Sequence, residues 1–282
     1  MPGTQSPGQR VIDEFRSSGG AVGGMFAGVP LILLITAGRK TGRPRVNPVT
    51  YLKDGERYLV FGSNLGGPAH PDWYHNLVAS PQVTIEYGAG DGRVTPLAAR
   101  AEILAGAERD RWYERQCSIS PVFREYQERT TRVIPVIALY PLDLSGDPTR
   151  RAALGEQLMA HHNDLRAALA RVRAVLDGRS ADSPDLAEQL RQRCLSYCYG
   201  LRLHHIREDG AFTAFERRFP HLVPAIDALR AEHEAIGRAL DGLQARLDSL
   251  PPTDALAALD ETVSDLERHF AEEERIFTAV ED

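Results

Sequence analysis

Cysteine is scarce in this chain of 282 residues: Cys117, Cys194 and Cys198 are its only three, too few for a disulfide framework. No cationic segment followed by an apolar core opens the sequence, so a reducing cytoplasm is the expected location. Long apolar runs are lacking too. The longest, residues 29–37, is under half of the roughly 20 residues a membrane helix requires and suits a buried strand, so no transmembrane segment is expected. Positive charge is not in surplus: 33 Lys and Arg against 39 Asp and Glu leave a net charge of −6, which argues against nucleic acid as the main partner. No Gly-x-Gly-x-x-Gly turn follows a strand, so a nicotinamide is not the obvious hydride donor. What is present, 43% apolar and 26% charged residues, is ordinary for a globular protein, and the length accommodates two domains.

The first half alternates short apolar runs with turn residues. Strands are expected at 31–36, 46–52, 58–62, 83–87 and 133–140, with accessory helices near 9–16, 71–79 and 107–116. After the polar stretch Ser145-Gly146-Asp147-Pro148-Thr149 the leucines switch to helical spacing. Four apolar stripes follow. They run through Leu158, His162, Leu165, Leu169, Val172, Leu176; then Leu186, Leu190, Cys194, Tyr197, Leu201, His204, Glu208, Phe215; then Leu222, Ile226, Leu229, His233, Ile236, Leu240, Leu243, Leu247. The last helix is expected to start after Pro251-Pro252 with Thr253 or Asp254 as N-cap, and its stripe runs Leu259, Val263, Leu266, His269, Glu273, Ile276, Val280. The fold expected is therefore α+β in two domains: strand-rich at 1–146, and an all-α up-and-down four-helix bundle at 147–282.

Each of the four stripes is interrupted by a histidine, and two by a carboxylate one turn later. His204 with Glu208 and His269 with Glu273 are i, i+4 pairs that project from one face. An ionised glutamate in an apolar core is costly unless paired or bound to a metal. Four imidazoles and two carboxylates converging in a bundle core predict a divalent metal site of iron, manganese or zinc, and six donors suit two ions. His161 rivals His162, and Glu272 and Glu274 rival Glu273, which lies best on the stripe. Cys194 and Cys198 read as buried small hydrophobes. His75, His205 and His221 are assigned to surfaces or local bonds.

The order His162, His204-x-x-x-Glu208, His233, His269-x-x-x-Glu273 over residues 150–282 resembles the hemerythrin-like HHE cation-binding family. The resemblance implies a non-haem centre of two irons. Oxygen-carrying hemerythrins add a second histidine one turn after the third-helix ligand; Gly237 stands there, which argues against reversible dioxygen carriage and leaves a position for oxygen, nitric oxide, peroxide or solvent.

In the first half, Thr36-Ala37-Gly38-Arg39-Lys40-Thr41-Gly42-Arg43-Pro44-Arg45 packs four cations between two strands. Such a turn suits a phosphate or carboxylate. Together with Phe61-Gly62-Ser63-Asn64-Leu65-Gly66-Gly67 and His70-Pro71-Asp72-Trp73-Tyr74-His75-Asn76-Leu77, it resembles the deazaflavin-dependent nitroreductase family over residues 10–143. That implies a split β-barrel of the FMN-binding type that binds coenzyme F420. By resemblance, Arg39, Lys40, Thr41, Gly42 and Arg45 hold the coenzyme's phosphate and acidic tail, Asn47 and Pro48 line its path, Ser63 and Asn64 lie near the deazaflavin ring, and Trp73 and Asn76 belong to the adjoining helix. Flavin mononucleotide is the alternative cofactor, and the cationic turn favours the longer anionic tail of F420. In the segment where nitroimidazole-activating members carry tyrosines, this chain has Ser120, Phe123 and Tyr126, so a shifted substrate is expected. Tyr126 or Ser63 is the candidate proton or hydrogen-bond donor.

The expected function is an F420-dependent oxidoreductase that reduces a quinone, nitro compound or similar acceptor, coupled to or regulated by a di-iron centre reacting with dioxygen, nitric oxide or peroxide. The alternatives are an oxygen, nitric oxide or iron sensor, and a di-iron oxygenase with the barrel as its electron supply. A homodimer is among the expected assemblies.

Overall fold

The computed structural model describes residues 6–144, 148–177, 186–246 and 249–278. One compact unit is formed by Met1–Leu142 with Arg207–Thr213, and a second by Asp143–Ile206 with Ala214–Asp282.

The first unit is a closed antiparallel barrel. Its strands are β1 (Leu31–Ala37), β2 (Pro44–Asp54), β3 (Arg57–Phe61), β4 (Gln82–Gly88), β5 (Val94–Ile103) and β6 (Val136–Pro141), in the spatial order β1-β2-β3-β6-β5-β4 with β4 paired back to β1. Strands β1 and β3 are buried almost throughout because both of their faces are covered. Ile32, Leu34, Val60, Ile85 and Ile137 form one core. Helix α1 (Pro7–Ser17) starts at Ser6, whose hydroxyl accepts from the Gln9 amide at 3.2 Å. It buries Ile12 and Phe15 against Leu31 and Leu33. Helix α2 (Asp72–Ala79) precedes β4, and α3 (Gly106–Ile119) and α4 (Val122–Glu128) precede β6.

Strand β5 was not among the expected strands. Its sequence carries Pro96, Ala98, Ala99 and Ala101, all poor strand formers, and pairing with both β4 and β6 overrides that weak propensity. The last strand also begins at Val136 rather than 133.

The second unit is helical: α5 (Pro148–Asp177), α6 (Leu186–Arg218), α7 (Val223–Arg246), α8 (Pro252–Thr262) and α9 (Leu266–Thr278). Leu165 and Val172, Leu190 and Leu201, Leu240 and Leu243, Leu259, and Phe270 bring all five into one core. Cys194 and Cys198 lie in it as free thiols, and burial pushes them up to about 11 and about 12. The expected linker centre, residues 145–147, and the stripe residues Leu247 and Val280 fall outside the described residues, while Pro148 and Thr149 open α5.

The last expected helix is two helices. At Val263 the backbone leaves helical geometry (φ −106, ψ 8), and the chain turns through Ser264 and Asp265 before α9 begins. Ser and Asp compete locally for backbone hydrogen bonds and favour helix ends. Helix α8 also starts at Pro252 with Pro251 as its cap residue, ahead of the expected Thr253 or Asp254. Proline fits there because its missing N–H is one the first turn would leave unused.

Candidate functional site

In the barrel, β1 and β2 are joined by the cationic turn. The Gly38 amide donates to the Arg43 carbonyl at 2.9 Å, and the Gly42 amide to the Gly38 carbonyl at 2.7 Å. Gly42 lies at φ +69, a conformation glycine adopts without penalty. Arg39, Lys40, Thr41, Gly42, Arg43 and Arg45 are exposed, and Asn47 and Pro48 on β2 are half-buried. Asn76, buried on α2, pins the turn: its Oδ1 accepts from the Arg39 amide at 3.1 Å and its Nδ2 donates to Thr36 Oγ1 at 3.1 Å. The side chain of Asn76 is thus spent on protein backbone and hydroxyl. Trp73, on the same helix, packs into the barrel core.

The segment after β3 is strained. Asn64, Leu65 and Gly66 have φ of +46, +53 and +80 in succession. Gly66 is required there, since a Cβ would lie 2.9 Å from the Tyr126 carbonyl oxygen. Asn tolerates this region, but Leu does not do so readily, and the Leu65 side chain is 72% exposed. The strain is held by Arg132. Its guanidinium donates to the carbonyls of Ser63 (2.6 Å), Gly62 (3.0 Å) and Gly67 (3.0 Å), and lies 3.0 Å from His70 Nδ1. Burial and the neighbouring Arg132 charge lower the His70 pKa. Ser63 and Tyr126 are half-buried; the Tyr126 ring packs edge-on against Phe123 at 5.4 Å. Asn64 is exposed with its amide donating to the Ala69 carbonyl at 3.0 Å.

On helices α5, α6, α7 and α9, the six expected donors are all buried: His162, His204, Glu208, His233, His269 and Glu273. His162, His204, Glu208 and Glu273 each place a ligand atom within 4.8 Å of the others, and so do His205, His233 and His269. An ion about 2 Å from each donor is compatible with that spacing. Glu273 joins the two sets. Its Oε2 lies 3.1 Å from His162 Nε2, while its Oε1 lies 2.9 Å from His233 Nε2 and 3.3 Å from His269 Nε2. One carboxylate thus turns an oxygen toward each donor set.

Electrostatics agree with that role. Burial opposes ionisation of Glu273, but the close imidazoles of His162, His233 and His269, His233 within hydrogen-bond geometry, outweigh it and hold the carboxyl well below the usual carboxylate range. Burial, reinforced by neighbouring imidazoles, holds His204 and His205 well below 6.5, so both are neutral and able to ligate. Two further carboxylates stand behind the rings. His162 Nδ1 lies 2.8 Å from Glu274 Oε1, and His269 Nδ1 lies 2.7 Å from Glu232 Oε2. Carboxylates in this position fix the ring tautomer and leave Nε2 for a metal. The donor set therefore fits divalent transition metals on its own chemistry.

Of the rivals, His161 is half-buried where His162 is fully buried, and Glu274 is turned to the far side of the His162 ring. His205 escaped the sequence pattern. It sits about 100° around the helix from His204, off the line of Leu201, His204 and Glu208, yet it is buried. The adjacent His-His pair was the only available signal.

Two family models match the chain: F420H(2)-dependent quinone reductase over residues 9–141, and hemerythrin HHE cation binding domain over residues 154–280. An F420H(2)-dependent quinone reductase of Mycobacterium tuberculosis is 37% identical over 131 residues, covering 44% of this chain and 83% of that protein. A solved structure of an F420-H2 dependent reductase is 34% identical, covering 39% of this chain and 93% of that one, with a TM-score of 0.35. Another, described as a domain-swapped dimer, is 31% identical, covering 46% and 92%, with a TM-score of 0.37.

Proposed function

The chain belongs to the F420H(2)-dependent quinone reductase family through its barrel and carries a hemerythrin HHE domain in its helical half; from that premise we propose an oxidoreductase that uses reduced F420 to reduce a quinone or similar acceptor, joined to a di-iron centre. The observation that carries the reductase reading is the exposed cationic turn pinned by Asn76. Reduced F420, when bound, supplies a hydride. Arg39, Lys40 and Arg45 would hold its anionic phosphate and tail, with Thr41 and Gly42 forming the turn and Asn47 and Pro48 alongside. Asn76 positions Arg39, and Trp73 supports α2 from the core. Ser63 and Asn64 would border the deazaflavin ring, and a hydroxyl of Ser63 or Tyr126 would donate a hydrogen bond to the acceptor oxygen as negative charge builds on it. Nitro compounds are the second candidate class of acceptor.

In the bundle, His162, His204 and Glu208 would hold one iron, His233 and His269 the other, with Glu273 between. Iron there supplies one-electron chemistry toward dioxygen, nitric oxide or peroxide. One turn after His233 on α7 stands Gly237, where an added Cβ would meet nothing within 4 Å. Oxidation of reduced F420 by menadione under anaerobic conditions, with metal analysis of the same sample, tests both halves. Turnover with about two irons per chain is expected. No turnover across quinones and nitro compounds would overturn the reductase reading in favour of a sensor, and absence of iron would overturn the di-iron reading.

A further inference from the structure

Among the seven buried histidines and glutamates of the two donor sets, His205 is the one that the proposed pair of irons does not yet use. Its ring stacks on that of His233 at 4.1 Å with planes 8° apart, and lies 5.4 Å from the His269 ring at 85°. Its Nε2 is buried and makes no hydrogen bond. A histidine kept only for packing ordinarily satisfies its buried ring nitrogens, since leaving one unpaired is costly. A ring nitrogen of His205 lies within 4.8 Å of those of His233 and His269, both of which also face the same oxygen of Glu273; because a metal lies in the plane of each ligating imidazole, joint ligation turns one of the two stacked rings about its Cβ–Cγ bond.

We propose that His205 is the third imidazole ligand of the second metal, supplied by α6 in place of a side chain at Gly237 on α7. The inference rests on the two-ion reading of the bundle and adds a residue to it. Without His205, the second position has only His233, His269 and the shared carboxylate, three protein donors where the first position has four. With it, each ion has its own set: His162, His204 and Glu208 for one, His205, His233 and His269 for the other, and Glu273 common to both. Gly237 fits the exchange. An imidazole arriving from α6 leaves the α7 position without a ligand to provide, and that position is open space beside a main-chain carbonyl tied to Arg202 at 3.0 Å.

The test is metal stoichiometry and a ligand-field spectrum of the full chain, loaded anaerobically with ferrous iron and, separately, with cobalt(II). Wild type, His205→Ala and His205→Gln are compared, with helix content by circular dichroism deciding which variant is read; the glutamine keeps bulk and polarity should the alanine fail to fold. The expected result is about two ions per wild-type chain and about one per variant, with half of the cobalt absorption lost. Adding Gly237→His to the folded variant restores the second ion. A folded variant that retains two ions with an unchanged cobalt spectrum overturns the role of His205. A wild-type chain that binds one ion or none overturns the two-ion reading itself, whatever the variants do.

Discussion

The guanidinium of Arg132 donates to the carbonyl oxygen of Ser63 at 2.6 Å across 69 residues of sequence. The same group reaches Gly62, Gly67 and His70, so one side chain sets the path of the whole segment that would face the coenzyme ring. Arg132→Lys keeps the charge but not the planar fork. It should cost about 2 kcal/mol through carbonyls left unpaired, seen as a lower thermal midpoint. The rate of coenzyme oxidation should fall by about tenfold or more, since misplacing a reacting group by a fraction of an ångström is costly. An unchanged rate would separate this segment from the active centre.

Leu65 sits at φ +53 with its side chain in solvent, strain that the fold tolerates without any packing return. Leu65→Gly should raise stability to urea by up to about 1 kcal/mol, the strain relieved exceeding the entropy added to the unfolded chain. Leu65→Val should lower stability by about 1 kcal/mol or more, because a branched Cβ is worse in this region. If Leu65 touches coenzyme or acceptor, the glycine variant will be both more stable and less active, a trade common at binding sites.

Asn76→Ala removes the acceptor for the Arg39 amide and the donor to Thr36. It should raise KM for reduced F420 several-fold with kcat little changed, because the turn it positions binds rather than reacts. Arg45→Ala should act in the same direction. For the wild type, KM should climb with ionic strength, as expected when exposed cations hold an anionic tail. A KM insensitive to salt would place the tail elsewhere.

Glu273→Ala leaves His162, His233 and His269 without their shared partner. Loss of the buried carboxylate should abolish binding of both metals and destabilise the helical unit by about 3 kcal/mol or more. Removing metal from the wild type with a strong chelator should lower the unfolding temperature reversibly, since metal binds only the folded donor set. Calorimetry reads both effects, and a chelated protein that melts unchanged would argue that the site is not loaded.

The four histidine stripes were legible because helical periodicity puts residues three and four apart on one face, and the fully buried donors lie on those lines. His205 was not, since a residue next to a stripe is ambiguous until the width of the buried face is known. Strand β5 hid behind Pro96 and its alanines, and the break at Val263–Asp265 carries neither glycine nor proline. Arg132 left no local trace, because three of its four partners are the main-chain carbonyls of Gly62, Ser63 and Gly67, and backbone atoms write nothing into sequence. The cationic turn was readable as a string, whereas the buried amide that fastens it was noticed only through resemblance.

Because β4 closes back on β1, every barrel strand has a neighbour on each side, but Pro44–Thr50 of β2 pair with β1 alone while β3 takes up only Tyr51–Asp54, so the barrel is sealed by its β4–β1 seam and not by full pairing of every strand. A mutation that prised β4 from β1 would create a sticky flank, and its first symptom would be aggregation rather than loss of catalysis.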